Sequence, residues 1–250
     1  MRATILFLIV FLCTQQSTFC QAKKTITATA QYEVVYLKNG QKIINDVCQL
    51  DITKSGSYFC STGKQENLSR IQKKYEKSQS SGTPMKFERG DLLTNLCNFE
   101  IEKDYTRNKA FYIQDVGDQS LGFQVDTLSS KRWKLLPETA MIGKLMCHKA
   151  SMTKDTIQIT AWYCIEIPLR DGPNYFYGLP GLIIKATTNT GFDIKLTSFN
   201  YAKDQNRILN IKSYAVVKES QLKKAMLNQR ALNKNGTLPN GDALKQVTGN

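Results

Sequence analysis

Two acidic residues in one turn are candidates for acid–base catalysis. Glu166 and Asp171 flank the proline-containing stretch IPLR. Hydrolysis of a glycosidic bond needs two carboxyl groups held roughly 5 to 9 Å apart. Acids in an exposed turn are more often simply solvated. The turn at residues 166–171 therefore offers a possible hydrolase site, with a purely structural turn as the alternative.

Most other catalytic arrangements are excluded because the chain has one histidine, His148. The sequence contains no HExxH motif, no G-x-S-x-G nucleophile turn and no glycine-rich phosphate loop. Cys147 precedes His148, but adjacent residues on a strand point to opposite faces and cannot easily bond to each other. We therefore predict no metal site and no cofactor, and we favour a protein that is not an enzyme.

The N-terminal segment predicts export. Arg2 is followed by an apolar stretch that ends at Cys13, and then by small and polar residues. This order is typical of a secretory signal peptide, and the apolar stretch is too short to cross a bilayer. We expect a signal peptide over residues 1–20 and a mature chain that begins at Gln21.

Cysteine chemistry is a further possibility in an exported chain. Without the signal peptide, Cys48, Cys60, Cys97, Cys147 and Cys164 remain, an odd number, and none forms a C-x-x-C motif. Cys48 and Cys60 are symmetric about the TKSG turn, and Cys147 and Cys164 about TKDT. Each pair is a candidate cross-strand disulfide, and five small buried thiols are the alternative.

Composition indicates a folded, basic protein. The chain is 41% hydrophobic, and 34 basic against 21 acidic residues give a formal charge of +13. An exported basic protein meets acidic lipid headgroups or polysaccharide rather than nucleic acid, although the charge also suits an ordinary soluble surface. We expect one domain over residues 21–236 and a flexible tail over residues 237–250, with no transmembrane helix.

Strand patterns dominate the elements that must position these residues. Residues 25–41 alternate between apolar and polar, and turn signals recur at hairpin spacing through most of the chain. We predict a short strand around Trp133 within a connector, and a further strand over residues 206–217. Many strands with short turns favour a single curved antiparallel meander sheet, shaped as a half-barrel or bowl.

Two helices complete the predicted fold, which is mainly β. One is a short internal surface helix over residues 64–79, with Leu68, Ile71 and Tyr75 on one stripe and charged residues elsewhere. The other is C-terminal, between residues 218 and 236, and Gly236 is a stop signal.

The stretch NYFYGLPGLI places turn-forming residues directly before an apolar run. Gly178 and Gly181 permit positive φ or close backbone approach, and Pro180 fixes φ between them. We predict a corner in which Leu179 and Leu182 are buried. An exposed aromatic binding lip is the alternative. The candidate ligand- or partner-binding residues are Trp162, Pro168, Gly172, Pro173, Tyr175, Tyr177, Gly178, Leu179, Pro180 and Gly181.

The same stretch resembles the GLPGLI family of exported bacterial proteins, which takes its name from this hexapeptide. The similarity extends over most of the chain, from LDITKSGSYFCS through KRWKLLPETAMIGKLMCHKA to TAWYCIEIPLRDGPNYFYGLPGLIIKA. The family's C-x-K-A pattern matches Cys147, Lys149 and Ala150. KDTIQITAW stands where the family usually has G-R before the tryptophan strand.

The resemblance implies an envelope protein of bacteria with an outer membrane, in the periplasm or at the outer membrane. A similar module looks like the bowl-shaped N-terminal domain of a glycan-releasing amidase, away from its catalytic domain, which suggests an accessory or binding role. We expect an apolar or peptide-like ligand or a partner envelope protein. A hydrolase and a purely structural interaction module are the alternatives, and an apolar concavity or convergent carboxylates would distinguish them.

Overall fold

The computed structural model describes residues 24–88, 90–128, 133–203 and 207–235. The predicted signal peptide, its cleavage site and the predicted tail lie outside the described residues. No helix among the described residues is long and apolar enough to cross a membrane. The helices are α1 (Thr62–Ser81) and α2 (Glu219–Asn235). The strands are β1 (Ile26–Lys38), β2 (Gln41–Thr53), β3 (Gly56–Ser61), β4 (Phe99–Asp104), β5 (Lys109–Val116), β6 (Gln119–Thr127), β7 (Lys134–Ile142), β8 (Leu145–Lys154), β9 (Ile157–Cys164), β10 (Leu182–Thr188), β11 (Phe192–Tyr201) and β12 (Ala215–Val216).

These strands form one 12-stranded sheet in the order β12-β6-β5-β4-β3-β2-β1-β11-β10-β9-β8-β7. Two antiparallel meanders, β1–β6 and β7–β11, are joined where β1 pairs with β11. The prediction of a mainly β protein on one large sheet with two helices is confirmed. The sheet is mixed rather than wholly antiparallel, because the short β12 pairs in parallel with β6.

The sheet curls enough to bring distant strands into contact. Lys154 at the end of β8 donates to the carbonyl of Val125 at 2.7 Å and to the carboxylate of Asp126 at 3.3 Å, both on β6. Most strands of the sheet lie between β6 and β8. The edges formed by β12 and β7 are not paired with each other, so the sheet is open and its inner face is concave.

Apolar side chains on the inner face form the main core. In β1, burial alternates, with Ala28, Ala30, Tyr32 and Val34 all inaccessible to solvent. This period of two places one side of the strand inward. β3 and β4 are buried throughout, because Phe59 and its inward neighbours join the main core while the outer face carries a second cluster. That outer cluster contains Ile26, Tyr58, Cys60, Ile113 and Leu209.

Two predicted strands differ from the observed ones. The short strand expected around Trp133 is the nine-residue edge strand β7, which begins after Trp133 and has a register shift between Leu135 and Thr139. Pro137 lies in that shift, since proline cannot donate to a ladder. The strand expected over residues 206–217 is reduced to β12 and one bridge from Ile208 to Thr25. Leu209 donates its N–H to the carbonyl of Lys24 at 2.8 Å beside this bridge, and its side chain packs on the outer cluster.

Helix α1 has clear end signals and an exposed apolar stripe. The Ser61 side chain accepts from the backbone N–H of Lys64 at 2.8 Å, and Gly82 ends the helix in the left-handed conformation with φ of 66°. Leu68 is 55% exposed and Tyr75 is 50% exposed. The helix contacts the sheet through its first turn, where Gly63 is buried, and the rest of it lies on the surface.

The cysteines among the described residues are all buried, free thiols. The predicted bond between Cys48 and Cys60 is wrong, because Cys48 pairs with Ser61 and Cys60 with Gln49 across the β2–β3 hairpin. The two cysteines are one position out of register and point to opposite faces.

Cys147 and Cys164 follow a different geometry. The β8–β9 register pairs His148 with Tyr163, which brings the next residues along each strand, Cys147 and Cys164, alongside each other. Burial, with a smaller contribution from Cys164, raises the pKa of the Cys147 thiol to about 11. A disulfide between these two residues stays a prediction.

Candidate ligand-binding cleft

The loop between β9 and β10, residues 165–181, folds into the concave face and is held there by a buried ion pair. Lys103 on β4 has no exposed surface and donates to the Asp171 carboxylate, to the carbonyl of Gly172 at 2.6 Å and to that of Phe176 at 3.2 Å. Tyr105 donates to the other oxygen of Asp171. The β9–β10 loop is therefore tied to the opposite half of the sheet by Lys103 and Tyr105.

Burial controls the protonation of these groups. Desolvation lowers the pKa of Lys103, and the charge of Asp171 opposes that shift. Burial and the Asp171 charge raise the pKa of Tyr105, so its hydroxyl stays protonated and donates. Asp171 is 2% exposed, and its oxygens also accept from the Gly172 N–H at 2.7 Å. The carboxylate is thus fully used in holding the loop.

The hexapeptide at the end of this loop is a corner. Leu179 is 1% exposed and Leu182 has no exposed surface, which confirms the burial predicted for both. Gly178 has φ of 98°, a conformation that favours glycine. A Cβ on Gly181 would lie 1.9 Å from the carbonyl oxygen of Cys164. Each glycine is therefore required by the backbone path, one for its torsion angle and the other for close approach.

The other candidate binding residues divide by exposure. Gly172 and Pro173 are buried with the corner, whereas Pro168 and Pro180 are exposed. Trp162 and Tyr177 are half-buried, and the carbonyl of Tyr177 accepts from the Trp133 indole at 2.9 Å.

Tyr175 is the member of the predicted set that lines a cavity. Beside the β9–β10 loop, the concave face holds a cleft of about 570 Å³. The side chains that line it come from both halves of the sheet and from the tip of the loop. They are Tyr36, Ile43, Ile44, Leu96, Asn98, Phe99, Tyr112, Ile157, Asn174, Tyr175, Phe176, Thr188, Thr190, Phe192 and Ile194.

Aromatic rings form much of the cleft surface. Tyr36 and Phe192 stack with ring centroids 4.4 Å apart, and Phe99 stacks on Tyr112 at 5.3 Å. The ammonium group of Lys154 lies 4.5 Å from the centre of the Tyr175 ring. The same lysine joins β8 to β6, so it contacts the loop tip on one side and β6 on the other at the rim of the cleft.

The cleft is apolar and uncharged. Its polar side chains are amides, hydroxyls and phenols, and no carboxylate, histidine or cysteine is among the described lining residues. Burial raises the pKa of Tyr112 to about 12. The cleft therefore offers van der Waals contact, aromatic stacking and neutral hydrogen bonds, but no group suited to acid–base or nucleophilic chemistry near neutral pH.

The two carboxylates proposed for a hydrolase do not form a reactive pair. Glu166 is exposed in the turn, while Asp171 is buried and bonded to Lys103 and Tyr105. Since neither residue lines the cleft, the structure does not bring the predicted acids together at a substrate site.

One cluster among the described residues has donor atoms suited to a metal ion. A carboxylate oxygen of Asp46 and the sulfurs of Cys48 and Cys97 all lie within 4.8 Å of one another. Asp46 is already engaged by two backbone N–H groups, those of Val47 and Cys97. Three ligands with a committed carboxylate fall short of the four that a structural zinc site uses.

Most of the cleft was not predictable from local sequence. Tyr36, Ile43 and Phe192 lie on three different strands and meet only because those strands neighbour one another in the sheet. One feature of the sequence could have indicated the cleft. Large apolar side chains occur near the ends of these strands, where they are not needed to fill the core.

The fold of this chain is similar to that of other solved structures. Two structures of PNGF-II, in the P21 and C2 space groups, match with TM-scores of 0.53 and 0.52. In both, sequence identity is 15% and the match covers 82% of this chain. The chain spans about a third of the length of those proteins, 34% and 33% respectively. At this identity the likeness shows the fold alone.

A family model described as "Protein of unknown function (Porph_ging)" matches residues 151–185. That segment contains β9, the β9–β10 loop and the hexapeptide corner. None of the curated proteins matches the chain. The matched segment includes the buried Leu179, the closely packed Gly181 and the Asp171 anchor.

Proposed function

We propose that the protein is an exported, non-enzymatic protein of the cell envelope that binds a small apolar or peptide-like ligand in the cleft. The observation that carries this proposal is the cleft itself, which measures about 570 Å³ and is lined by aromatic and aliphatic side chains. Sites for small molecules usually occupy about 300 to 1,000 Å³ and are mainly apolar with a few polar groups.

The polar groups of the cleft suit a ligand with a few neutral hydrogen-bonding atoms. Asn98, Asn174, Thr188 and Thr190 lie among the rings and aliphatic side chains. Amides and hydroxyls at the edge of an apolar site can orient a peptide group without requiring a charge on the ligand. This combination favours a ligand with apolar side groups on a short polar backbone.

The hydrolase alternative has less support. Asp171 anchors the β9–β10 loop, Glu166 is exposed, and neither reaches the cleft. A catalytic role for Asp171 would require breaking a buried ion pair, which leaves an uncompensated charge on Lys103.

Binding of Nile red, a neutral apolar dye, tests the cleft directly. Ile43 lines the cleft and is 44% exposed, so Ile43→Lys places an ammonium group there with little effect on folding. We expect dye affinity to fall by about tenfold or more, because the charge loses hydration when an apolar ligand covers it. The measurement is a fluorescence titration of the purified chain.

Leu135→Lys is the matched control. Leu135 is also an exposed strand residue, at 55%, but it lies on β7 and does not line the cleft. Its variant should bind dye as the parent does. Equal binding by the parent and Ile43→Lys would refute the cleft as the binding site. Native mass spectrometry of the chain extracted from its own envelope then separates a small bound molecule from a partner protein.

Location in the periplasm or at the outer membrane is part of this proposal. It rests on the N-terminal pattern and on the basic excess, which suits contact with an anionic membrane surface. Intact-mass analysis of protein from the native envelope should find a chain that starts at or near Gln21. Recovery of the full-length chain from the cytoplasm would contradict export.

A further inference from the structure

Two buried thiols face each other where the segment after α1 crosses β2. The sulfurs of Cys48 and Cys97 belong to a group of donor atoms that lie within 4.8 Å of one another, and neither residue has exposed surface. Asp46 organises the contact, since one carboxylate oxygen accepts from the Cys97 N–H at 2.9 Å and from the Cys48 thiol at 3.8 Å. One side chain therefore holds both cysteines in place.

Each of the two thiols has the other within 4.8 Å. Hydrogen bonding with Cys97 and burial raise the pKa of Cys48 far above its usual range. Cys60, on the neighbouring strand, points to the opposite face and packs in the outer cluster with Tyr58 and Ile113. Cys60, which sequence symmetry would pair with Cys48, therefore lies in a different cluster. The thiol beside Cys48 is that of Cys97.

We propose that Cys48 and Cys97 are joined by a disulfide in the exported protein. The reaction joins the two sulfurs, releases two protons and transfers two electrons to the disulfide of an exported thiol oxidase or of oxidised glutathione, which becomes two thiols. Because both thiols are buried in the folded chain, the bond forms before folding is complete.

The bond would fix one wall of the cleft. Leu96 and Phe99 on either side of Cys97 line the cleft, as do Ile43 and Ile44 of β2, the strand that carries Cys48. The Asn45 N–H already donates to the carbonyl of Asn95 at 2.9 Å at this crossing. A covalent link here holds the end of the β3–β4 connection, which contains α1, against the sheet.

Peptide mapping without reductant tests the pairing. The full chain is made by export into an oxidising periplasm, denatured with an alkylating reagent and digested. We expect one linked peptide pair that contains Cys48 and Cys97, with Cys60 alkylated. Refolding of the reduced chain in a glutathione redox buffer should give the same link. Alkylation of both Cys48 and Cys97, or a link from either to Cys60, would overturn the proposal. So would zinc retained at one ion per chain with both thiols free.

Hydrogen exchange tests the effect on the cleft wall. Reduction of the purified chain should speed amide exchange across residues 92–98 by about tenfold or more, because the crossing loses its covalent support. Cys60→Ser is the matched control and should keep both the link and the exchange pattern. Equal exchange in the oxidised and reduced chains would show that the bond does not support the wall. These measurements use no ligand, so their outcome is independent of dye binding.

Discussion

The concave face has a filled part, where a loop covers the apolar side chains, and an open part, where a cleft leaves them uncovered. In the filled part, the β9–β10 loop inserts Phe176 and Leu179, which are 2% and 1% exposed. In the open part, Tyr36 and Phe192 stack beside a cleft of about 570 Å³. A sheet that curls this far creates more apolar surface than its own loop covers. The uncovered remainder is what a ligand would occupy.

The two parts also differ in how charge is used. The filled part contains a fully buried ion pair between Lys103 and Asp171, with Tyr105 as a third member. The open part has no carboxylate, histidine or cysteine among its described lining residues. Buried charges with complete partners specify one loop position. The uncharged side chains that line the neighbouring cleft do not need charged partners.

The largest effect is expected from breaking the anchor of the filled part. Lys103→Met leaves Asp171 buried without its cation and removes donors to two carbonyls, so we expect a loss of about 3 to 5 kcal/mol in the free energy of unfolding. Urea denaturation measures this. Lys149→Met, which breaks a partly exposed pair with Glu138, should change the free energy of unfolding far less, because solvent screens that pair. Equal costs for both variants would show that the ion pair is not a structural anchor.

A leucine truncation compares the corner with the cleft. Leu179→Ala should cost about 2 to 5 kcal/mol because it opens a cavity in a packed core, with dye binding retained by the folded fraction. Ile43→Ala should cost under about 1 kcal/mol because Ile43 is 44% exposed and faces the cleft. Chemical denaturation and dye titration are run on both. An unchanged midpoint for Leu179→Ala with lost binding would make the hexapeptide a functional site instead of a corner.

Alanine at two glycines separates close approach from backbone conformation. Gly181→Ala places a methyl group against the Cys164 carbonyl and forces a backbone shift, at about 1 to 3 kcal/mol. Gly143 has φ of 62° and open space around its Cβ position, so Gly143→Ala should cost about 1 kcal/mol from conformation alone. Thermal unfolding ranks the two variants. A smaller loss at Gly181 than at Gly143 would contradict the tight corner.

The smallest effect is expected for dye binding as a function of pH. Between about pH 5 and about pH 9, affinity should stay constant, because the lining has no acid or histidine and the pKa of Tyr112 is raised to about 12. A titration step in this window would reveal a charged group in the site.

Stability should behave differently below that window. Although burial opposes it, hydrogen bonds from Thr106 and Arg107 lower the pKa of Asp104 to about 2. Bonds from Lys64 and Tyr58 likewise lower the pKa of Glu100 despite its burial. A lowered folded pKa adds stability that is present above the unfolded pKa near 4 and is lost as pH falls through the folded pKa. Denaturation midpoints should therefore fall from about pH 4 to about pH 2.

The sequence by itself determined the local structure of this protein. Alternating apolar residues specified β1, the TKSG turn specified the β2–β3 hairpin, and glycines with leucines specified the corner at Gly178–Ile183. These features depend on torsion preferences and on the period of a strand, which neighbouring residues impose on each other.

Tertiary structure alone decided which distant residues meet. Tyr36 and Phe192 line one cleft, Lys103 pairs with Asp171, and Cys48 faces Cys97 instead of Cys60. The symmetry of the sequence wrongly paired Cys48 with Cys60, because a shift of one residue in a hairpin register moves a side chain to the other face. The order of strands and the curl of the sheet set these contacts, and both arise from packing the whole inner face at once.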